Sequence, residues 1–439
     1  MSDSPRVLIL TYYWPPSGGA GVQRWLKFTK YLPLHGITPV IFTAQNAEYP
    51  VLDASLEKEI PINIEVIRHT IREPYTFYKR FLGKKKGDRI ASGFLRDEKQ
   101  RGFRQRLSVW IRGNLFIPDA RKNWIKPSVR YLSKLLKHHP VNCIISTGPP
   151  HSVHLIALAL KRRFDVRWIA DFRDPWTKLD FYEHLKLTKC ADRKHKRLER
   201  TVLTEADKIV AVTSVMVDDF GKIVDREYVH IANGYDEADF AGVPAQPDQK
   251  FTITHTGFIN QARSHPFFWR TLGELCQENP AFARELKLKL IGKVDISCVQ
   301  HVEVNHLAPN TEIVDYLPHH QSIEALMRSR VLYLPINNTT TARGLATGKL
   351  YEYLRAKRPI LVIGPPDGEA GQIVLKTKSG HVVNFEDRDS LKRILTEWFA
   401  KHQAGTLAYP SEGIEAYSRQ SLALRYAELI KTLTKSVTH

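Results

Sequence analysis

The sequence predicts an α/β protein with two Rossmann-like, doubly wound parallel-sheet domains that face a central cleft. In both halves of the 439-residue chain, short β-rich runs alternate with segments that can form helices. This alternation is typical of βαβ units and therefore of parallel sheets. The length also exceeds one ordinary hydrophobic core and fits two domains.

The first βαβ unit begins almost at the start of the chain. Residues 6–11 form a short apolar run, and a turn rich in glycine and proline follows over residues 13–21. Apolar residues then recur at helical spacing up to Gly36, and residues 38–43 are a second β-rich run. Because a strand, a helix and a second strand follow one another so closely, we expect a parallel sheet here.

Turn-forming residues accumulate over residues 232–248 and suggest the domain boundary. We expect a first domain over residues 1–236, with a basic insertion near residues 79–130. The second domain then covers residues 237–439, and its last helix, over about residues 414–439, could pack back on the first domain.

Positive charge is concentrated in two runs. The formal net charge is +19, and residues 79–106 contain eleven lysines and arginines against three acids. A second basic run covers residues 186–200. Such runs attract nucleic acid, anionic lipid headgroups or phosphorylated substrates, although a solvated helix face explains either run alone equally well.

Cysteine and hydrophobic patterns exclude several classes of protein. The four cysteines lie far apart without a C-x-x-C pair, so we expect neither a disulfide framework nor a zinc site. The first residues have no basic signal region, and no apolar run approaches the roughly 20 residues of a membrane span. We expect a cytoplasmic protein, peripheral on the inner face of the membrane if the basic runs bind lipid.

Residues 17–22 place three glycines between a strand and a helix. Glycine lets the backbone approach a phosphate, and the helix N-terminus offers free N–H groups to an anion. Gly19 and Gly21 are the residues that we expect at a phosphate. A purely structural tight turn is the alternative, because the loop is neither G-x-G-x-x-G nor a P-loop.

Residues 347–364 form a second candidate binding segment, a helix followed by a strand. The helix should begin near Gly348 and place Lys349 and Glu352 on one face of its first turn. The Glu352 carboxylate could accept hydrogen bonds from two ribose hydroxyls. Alternatively, it could simply complement the helix dipole.

Four segments together carry a resemblance to a known family: residues 12–23, 231–236, 255–264 and 348–363. In order and spacing they resemble the group-1, or family 4, glycosyltransferases of the GT-B fold, over nearly the whole chain. The resemblance implies an acceptor-binding first domain, a second domain that binds a nucleotide-diphosphate sugar, and transfer with retention of configuration. It implies no cofactor and no required metal.

The resemblance also assigns residues to the donor site. It places Gly19 and Gly21 at the donor phosphates, Arg263 on the diphosphate and Glu352 on the ribose, with Lys349 and Leu350 completing the helix start. Two departures concern the diphosphate and the sugar. The sequence has Phe258 where the family commonly has an arginine, and Gly344 where it often has a second glutamate.

Three residues after predicted strands of the first domain are candidates for the catalytic site: His151, Asp171 and Arg173. Family members often place a histidine or an acid near the reacting sugar at this point. For Asp171 and Arg173 the alternative is a structural pair at a strand end, and for His151 it is a helix-capping role.

The resulting prediction is a metal-independent glycosyltransferase whose acceptor is a glycan or lipid-linked glycan of a cell-surface polysaccharide pathway. Two alternatives stay open. A nucleotide-sugar epimerase of similar fold would need acid and base carboxylates, and a non-enzymatic basic protein could bind nucleic acid. Neither an RNA-stacking motif nor a helix-turn-helix pattern is recognisable, so we expect no nucleic-acid partner.

Overall fold

The computed structural model describes residues 4–71, 103–179, 182–244, 246–315 and 317–435. Internal contacts divide the chain into two compact units. The first unit runs to Ala232 and includes the C-terminal residues from Arg419 onward, and the second unit is Asn233–Ser418. The first basic run lies largely outside the described residues.

The first unit contains seven strands and seven helices within the described ranges. The strands are β1 (Arg6–Leu10), β2 (Thr38–Ala44), β3 (Glu65–His69), β4 (Cys143–Gly148), β5 (Arg167–Phe172), β6 (Lys208–Ala211) and β7 (Val229–His230). The helices are α1 (Ala20–Tyr31), α2 (Phe103–Leu115), α3 (Lys122–His138), α4 (Ser152–Phe164), α5 (Lys189–Glu205), α6 (Ser214–Gly221) and, at the end of the chain, α14 (Arg419–Lys435).

All seven strands of the first sheet are parallel, in the order β3-β2-β1-β4-β5-β6-β7. Strands β1, β4 and β5 are almost entirely buried, because both faces of the sheet are covered by helices. One hydrophobic core lies under α3, α4, α5 and α6, and a second lies under α1 and α14. The order of the strands reverses between β1 and β4, which is the switch point of this sheet.

The second unit has the same doubly wound arrangement. Its strands are β8 (Phe251–Thr256), β9 (Leu286–Ile291), β10 (Thr311–Val314), β11 (Val331–Pro335), β12 (Ile360–Ile363) and β13 (Gly380–Val383). They are parallel in the order β10-β9-β8-β11-β12-β13. The helices are α7 (Pro266–Glu278), α8 (Pro280–Glu285), α9 (Ile296–Val304), α10 (His319–Arg328), α11 (Gly348–Ala356), α12 (Glu369–Lys376) and α13 (Arg388–Gln403).

The fold class is thus confirmed as two parallel-sheet α/β domains, while three strands were missed in the sequence. Strands β3, β7 and β13 lie at sheet edges and have two to five residues each. An edge strand is partly exposed and therefore lacks the continuous apolar run of a central parallel strand. The expected insertion near residues 79–130 lies partly outside the described residues and stays a prediction, and α3, which begins within it, covers the sheet before β4.

Helix α14 brings the end of the chain back onto α1. Its buried residues share a core with Trp25 and Phe28, and the Tyr426 ring lies 5.2 Å from the Trp25 ring and 5.3 Å from the Phe28 ring. The Tyr426 hydroxyl donates a 2.7 Å hydrogen bond to the buried carboxylate of Asp171 on β5. The last helix is therefore joined to the sheet by a polar contact as well as by packing.

No described helix is both long enough and apolar enough to cross a membrane.

We predict that Tyr426→Phe lowers the free energy of unfolding by about 1–3 kcal/mol, because it removes one donor from a buried carboxylate and keeps the ring contacts. Denaturant unfolding checks this. Leu424→Ala on the same helix is the control, since Leu424 is 43% exposed and should change stability far less. Wild-type stability in Tyr426→Phe would contradict the expected role of the hydroxyl.

Candidate functional site

The carboxyl ends of β8 and β11 form the switch point of the second sheet, where strand order reverses. Doubly wound sheets bind ligands at such a point, because the loops after the two strands diverge and leave a crevice. The loop after β8 begins with Gly257, and the loop after β11 contains Asn337. These two loops determine where Arg263 and Lys349 lie.

Gly257 is required for the position of the Lys349 side chain. Its φ angle is +119°, a conformation that favours glycine, and a Cβ atom there would lie 2.1 Å from Lys349 Cε. Lys349 is the second residue of α11, so its side chain runs from the helix start over the backbone after β8. Within the described chain, Lys349 forms no ion pair.

Arg263 holds the next residue of the same loop. Its Nη1 donates a 3.0 Å hydrogen bond to the Phe258 carbonyl, and its Nε donates to Asn337 Oδ1 at 2.6 Å. The guanidinium therefore connects the loops after β8 and β11. Because Lys349 and Arg263 contact two consecutive residues, 257 and 258, the structure brings these two predicted cations together.

Helix α11 presents Glu352 one turn after Lys349. The carboxylate is half-buried and, among the described residues, has no cation as an ion-pair partner. The adjacent Tyr353 fixes the helix, because its hydroxyl accepts a 2.9 Å hydrogen bond from the Thr256 amide at the end of β8. Burial raises the pKa of Tyr353 to about 12, so the hydroxyl stays protonated.

Leu350 is a core residue of this helix. Its side chain is fully buried, and its amide donates a 3.1 Å hydrogen bond to the Thr347 carbonyl. These contacts pack Leu350 between α11 and the sheet, and its predicted contact with the donor stays a prediction.

His255 lies beneath the two cations on β8. Burial lowers its pKa to about 3, and the positive charges of Lys349 and Arg263 contribute to the decrease. The imidazole is therefore neutral near pH 7, and its Nδ1 donates to the Tyr333 carbonyl at 2.9 Å. The positive charge of this site comes from the lysine and the arginine.

In the first unit, Arg173 connects the glycine loop to the strand ends. Gly19 adopts φ +85° at the N-cap of α1 and is exposed, while Gly21 lies in the first turn. The Arg173 guanidinium donates to the carbonyls of Gly21 and Pro149. A Cβ atom on Gly21 would lie 3.1 Å from Arg173 Nη1, so this glycine admits the arginine.

His151 lies next to this arginine as a buried, neutral imidazole. Its ring stacks on the Trp176 ring at 4.5 Å with an interplanar angle of 4°. Burial lowers the pKa of His151 well below its usual value, and nearby positive charges, including Arg173, contribute. Such a side chain can exchange hydrogen bonds with a ligand but does not carry a charge near pH 7.

Asp171 is the centre of a buried polar network. Its carboxylate accepts hydrogen bonds from Arg24 twice, from Trp25, from Thr147 and from Tyr426, at 2.7–3.3 Å. Burial alone would raise the pKa of Asp171, but the Arg24 charge and the hydrogen bonds from Arg24, Trp25 and Tyr426 together keep the pKa below its usual value. A carboxylate offers about four lone-pair sites, so five donors leave none for a substrate.

The predicted candidates of the first unit therefore form two groups that differ in whether protein groups enclose them. Arg173 and Gly21 are in direct contact and His151 is close by, whereas Asp171 is enclosed by protein groups. The sequence analysis missed Arg24 and Tyr426, the partners of Asp171, and Asn337, the partner of Arg263. Only Asn337 left a signal, since it is a polar residue directly after a β-rich run.

No described group of three or more His, Cys, Asp or Glu side chains could hold a metal ion. Metal independence nevertheless stays a prediction.

Comparison with known proteins identifies the fold. No protein-family model and no curated protein matches the sequence. Among solved structures, the sucrose-phosphate synthase of Thermosynechococcus elongatus superposes with a TM-score of 0.58 at 13% identity, over 98% of this chain and 100% of that one. WaaG, a glycosyltransferase involved in lipopolysaccharide biosynthesis, gives 0.54 at 11% identity, over 98% and 99%.

A putative UDP-N-acetylglucosamine 2-epimerase from Listeria monocytogenes is also similar, with a TM-score of 0.56 at 9% identity over 99% of this chain and 97% of that one. Together these similarities confirm that the chain has the GT-B glycosyltransferase fold, as predicted. At such low identity the likeness concerns the fold alone.

We predict that acid destabilises the protein between about pH 6.5 and 4 through its buried histidines. Burial lowers the pKa of His154 to about 3, of His255 to about 3 and of His265 to about 4. Below pH 6.5 the unfolded chain binds protons that the folded chain excludes, so the free energy of unfolding decreases as the pH is lowered. Each histidine contributes up to about 1.4 kcal/mol per pH unit.

Unfolding curves measured across this pH range test the prediction. Asn can replace the Nδ1 donor, so His255→Asn should flatten the slope even where it lowers stability near pH 7. His138→Asn, at the exposed end of α3, is the control and should keep the wild-type slope. An unchanged slope in His255→Asn would show that the buried histidine does not contribute.

Proposed function

We propose that the protein transfers a sugar from a nucleotide-diphosphate sugar to a glycan or lipid-linked glycan acceptor, with retention of configuration and without a metal. One observation carries the proposal: Arg263 and Lys349 contact consecutive residues of the loop at the switch point of the second sheet, and Glu352 lies one turn after Lys349 on the same helix. Two cations suit a diphosphate, and a carboxylate without a protein cation suits ribose hydroxyls.

In the proposed reaction, the bond between the anomeric carbon and the diphosphate oxygen breaks, and the electron pair leaves with the diphosphate. Negative charge then grows on the leaving group. Arg263 and Lys349 would stabilise that charge electrostatically, because protein groups already hold both side chains near the loop. The acceptor oxygen forms the new bond to the anomeric carbon, and its proton passes to the departing diphosphate oxygen.

We propose Arg173 and His151 for the acceptor side of the reaction, and Gly19 and Gly21 for the donor phosphates. The arginine and the glycine loop are joined, and the neutral imidazole lies beside them. Gly19 is exposed and conformationally suited to approach a phosphate. For Asp171 we propose positioning of β5 rather than contact with a substrate.

The polysaccharide pathway and a cytoplasmic location at the membrane are part of this proposal. An epimerase is the second candidate, supported by the likeness to the Listeria protein. Purified protein incubated with UDP-, GDP- and ADP-sugars and a glycan acceptor separates the two. A transferase releases nucleoside diphosphate and extends the acceptor, whereas an epimerase returns an isomerised nucleotide-sugar.

A thermal-shift panel of the same nucleotides identifies the donor, because a ligand at one hundred times its dissociation constant adds about 2.7 kcal/mol of stability.

We predict that Arg263→Ala weakens nucleoside diphosphate binding far more than nucleoside binding. The loss should be about tenfold to a hundredfold, since a hydrogen bond to a charged group is worth about 1.5–3 kcal/mol. Calorimetry with both ligands measures it, and Arg284→Ala, an exposed arginine of α8, is the control. Equal losses for both ligands would assign Arg263 only the structural role of joining the two loops.

We predict that Glu352→Ala removes the preference for a ribose. Wild type should bind a nucleoside diphosphate about tenfold to a hundredfold more tightly than its 2′,3′-dideoxy analogue, for the same energetic reason. Glu352→Gln keeps one acceptor oxygen and should lose less than the alanine variant. Glu303→Ala, an exposed acid of α9, should keep the preference. Full discrimination by Glu352→Ala would refute the assignment of the ribose site.

A further inference from the structure

Three helices of the first unit carry a large excess of positive charge. Together α3, α4 and α5 contain fourteen lysines and arginines against three acids. Helices α3 and α4 contain no acid at all, and one of the acids in α5, Glu199, is buried. This excess is more than half of the formal net charge of +19.

The three helices cover the same face of the first sheet. Their apolar rows enter one hydrophobic core, with Trp124 from α3, Ile156 from α4 and Val202 from α5. Arg162 of α4 forms an ion pair with Glu205 at the end of α5, which places these helix ends side by side. Since the apolar rows face the sheet, the outer cations of α3 and α5 and the cations at the C-terminal end of α4 lie on the outer surface, here called the cationic face.

The α3 row is the most strongly positive part of the cationic face. Lys126, Arg130, Lys134 and Lys137 follow one another at spacings of three or four residues, so they lie along one side of the helix. All four are exposed, and none has an ion-pair partner in the part of the chain that the structure describes. Over about 16 Å of helix, this row therefore presents uncompensated positive charge.

A groove of about 540 Å³ runs beside this row, between α3 and α4. Ile125, Val129 and Ala159 line its floor, and the α3 cations together with Arg163 stand along its edges. Long lysine and arginine side chains can cover such an apolar strip while their charged ends reach outward. The groove thus combines an apolar floor with a cationic rim.

We propose that the cationic face docks the protein on an anionic phospholipid bilayer. Lipid phosphates would neutralise the outer cations, and the apolar floor of the groove would meet the boundary between headgroups and acyl chains. A layer of side-by-side helices matches an extended anionic surface. A single-stranded nucleic acid would instead favour aromatic side chains for stacking, and no Phe, Tyr or Trp lines this groove.

The decisive measurement is co-sedimentation with vesicles of phosphatidylcholine, with and without about one-third phosphatidylglycerol, near 0.1 M salt, where exposed charges are screened over about 10 Å. The test variant neutralises the row by Lys126→Gln, Arg130→Gln, Lys134→Gln and Lys137→Gln, which keeps good helix formers at exposed positions. The matched control neutralises four exposed cations of the second unit: Arg270, Arg284, Lys376 and Arg393.

Wild type and the control should bind anionic vesicles with similar affinity, more weakly at higher salt, and should bind neutral vesicles poorly. The test variant should lose about two to three decades of affinity, since each cation near the surface is worth about fivefold. Its far-UV circular dichroism and thermal unfolding should match wild type. The inference assigns a surface to the membrane location of the proposed function, and it can fail separately from that function, because vesicle binding is measured without sugar transfer.

Three results would overturn it: equal binding to neutral and anionic vesicles, an equal loss in the control, or wild-type affinity in the test variant. Tighter binding of wild type to a single-stranded oligonucleotide than to anionic vesicles at the same salt would assign the cationic face to nucleic acid instead.

Discussion

The buried ion pair between Arg24 and Asp171 is the interaction on which the first unit depends. Both side chains are almost completely excluded from water, and their closest charged atoms are 3.0 Å apart. Removing one partner from such a pair typically costs several kcal/mol, because the other charge stays buried without compensation. Arg24 also donates to the carbonyls of Ile231 and Ala232. One guanidinium therefore connects α1, β5 and the residues after β7.

This network links distant parts of the chain at one point. Thr147 on β4 and Tyr426 on α14 both donate to Asp171, and Trp25 on α1 does the same. Arg173 lies two residues after Asp171, and its guanidinium donates to the Gly21 carbonyl of the glycine loop instead. A rigid carboxylate inside the sheet thereby fixes the backbone from which an arginine reaches the candidate site.

The second unit positions its charges with backbone conformation rather than a buried ion pair. A left-handed glycine admits the Lys349 chain, and the Phe258 carbonyl accepts from Arg263. In both units an arginine donates to a main-chain carbonyl of a loop at the switch point. Because a carbonyl carries no formal charge, these hydrogen bonds leave the positive charge of both arginines in place.

The sequence was sufficient for the parallel sheets, because central strands such as β1 and β4 are continuous apolar runs bounded by turns. The sequence placed Lys349 and Glu352 at a helix start, whereas Arg263 was assigned through the family resemblance, and the donor-binding roles of all three stay predictions. The sequence could not show that protein donors enclose the Asp171 carboxylate or that the Leu350 side chain is fully buried. Residues 24, 171 and 426 are distant in sequence, and the saturation of a carboxylate depends on which side chains meet in space.

The surface charge follows from the same division between buried and exposed rows. A helix on a parallel sheet needs apolar residues only on its inner side, so the outer rows of α3, α4 and α5 are free to vary. In α3 every charged residue is positive, although like charges at i and i+4 on one helix destabilise it. Since packing does not require these cations and their mutual repulsion opposes them, an external anion offers the compensation that the described fold does not provide.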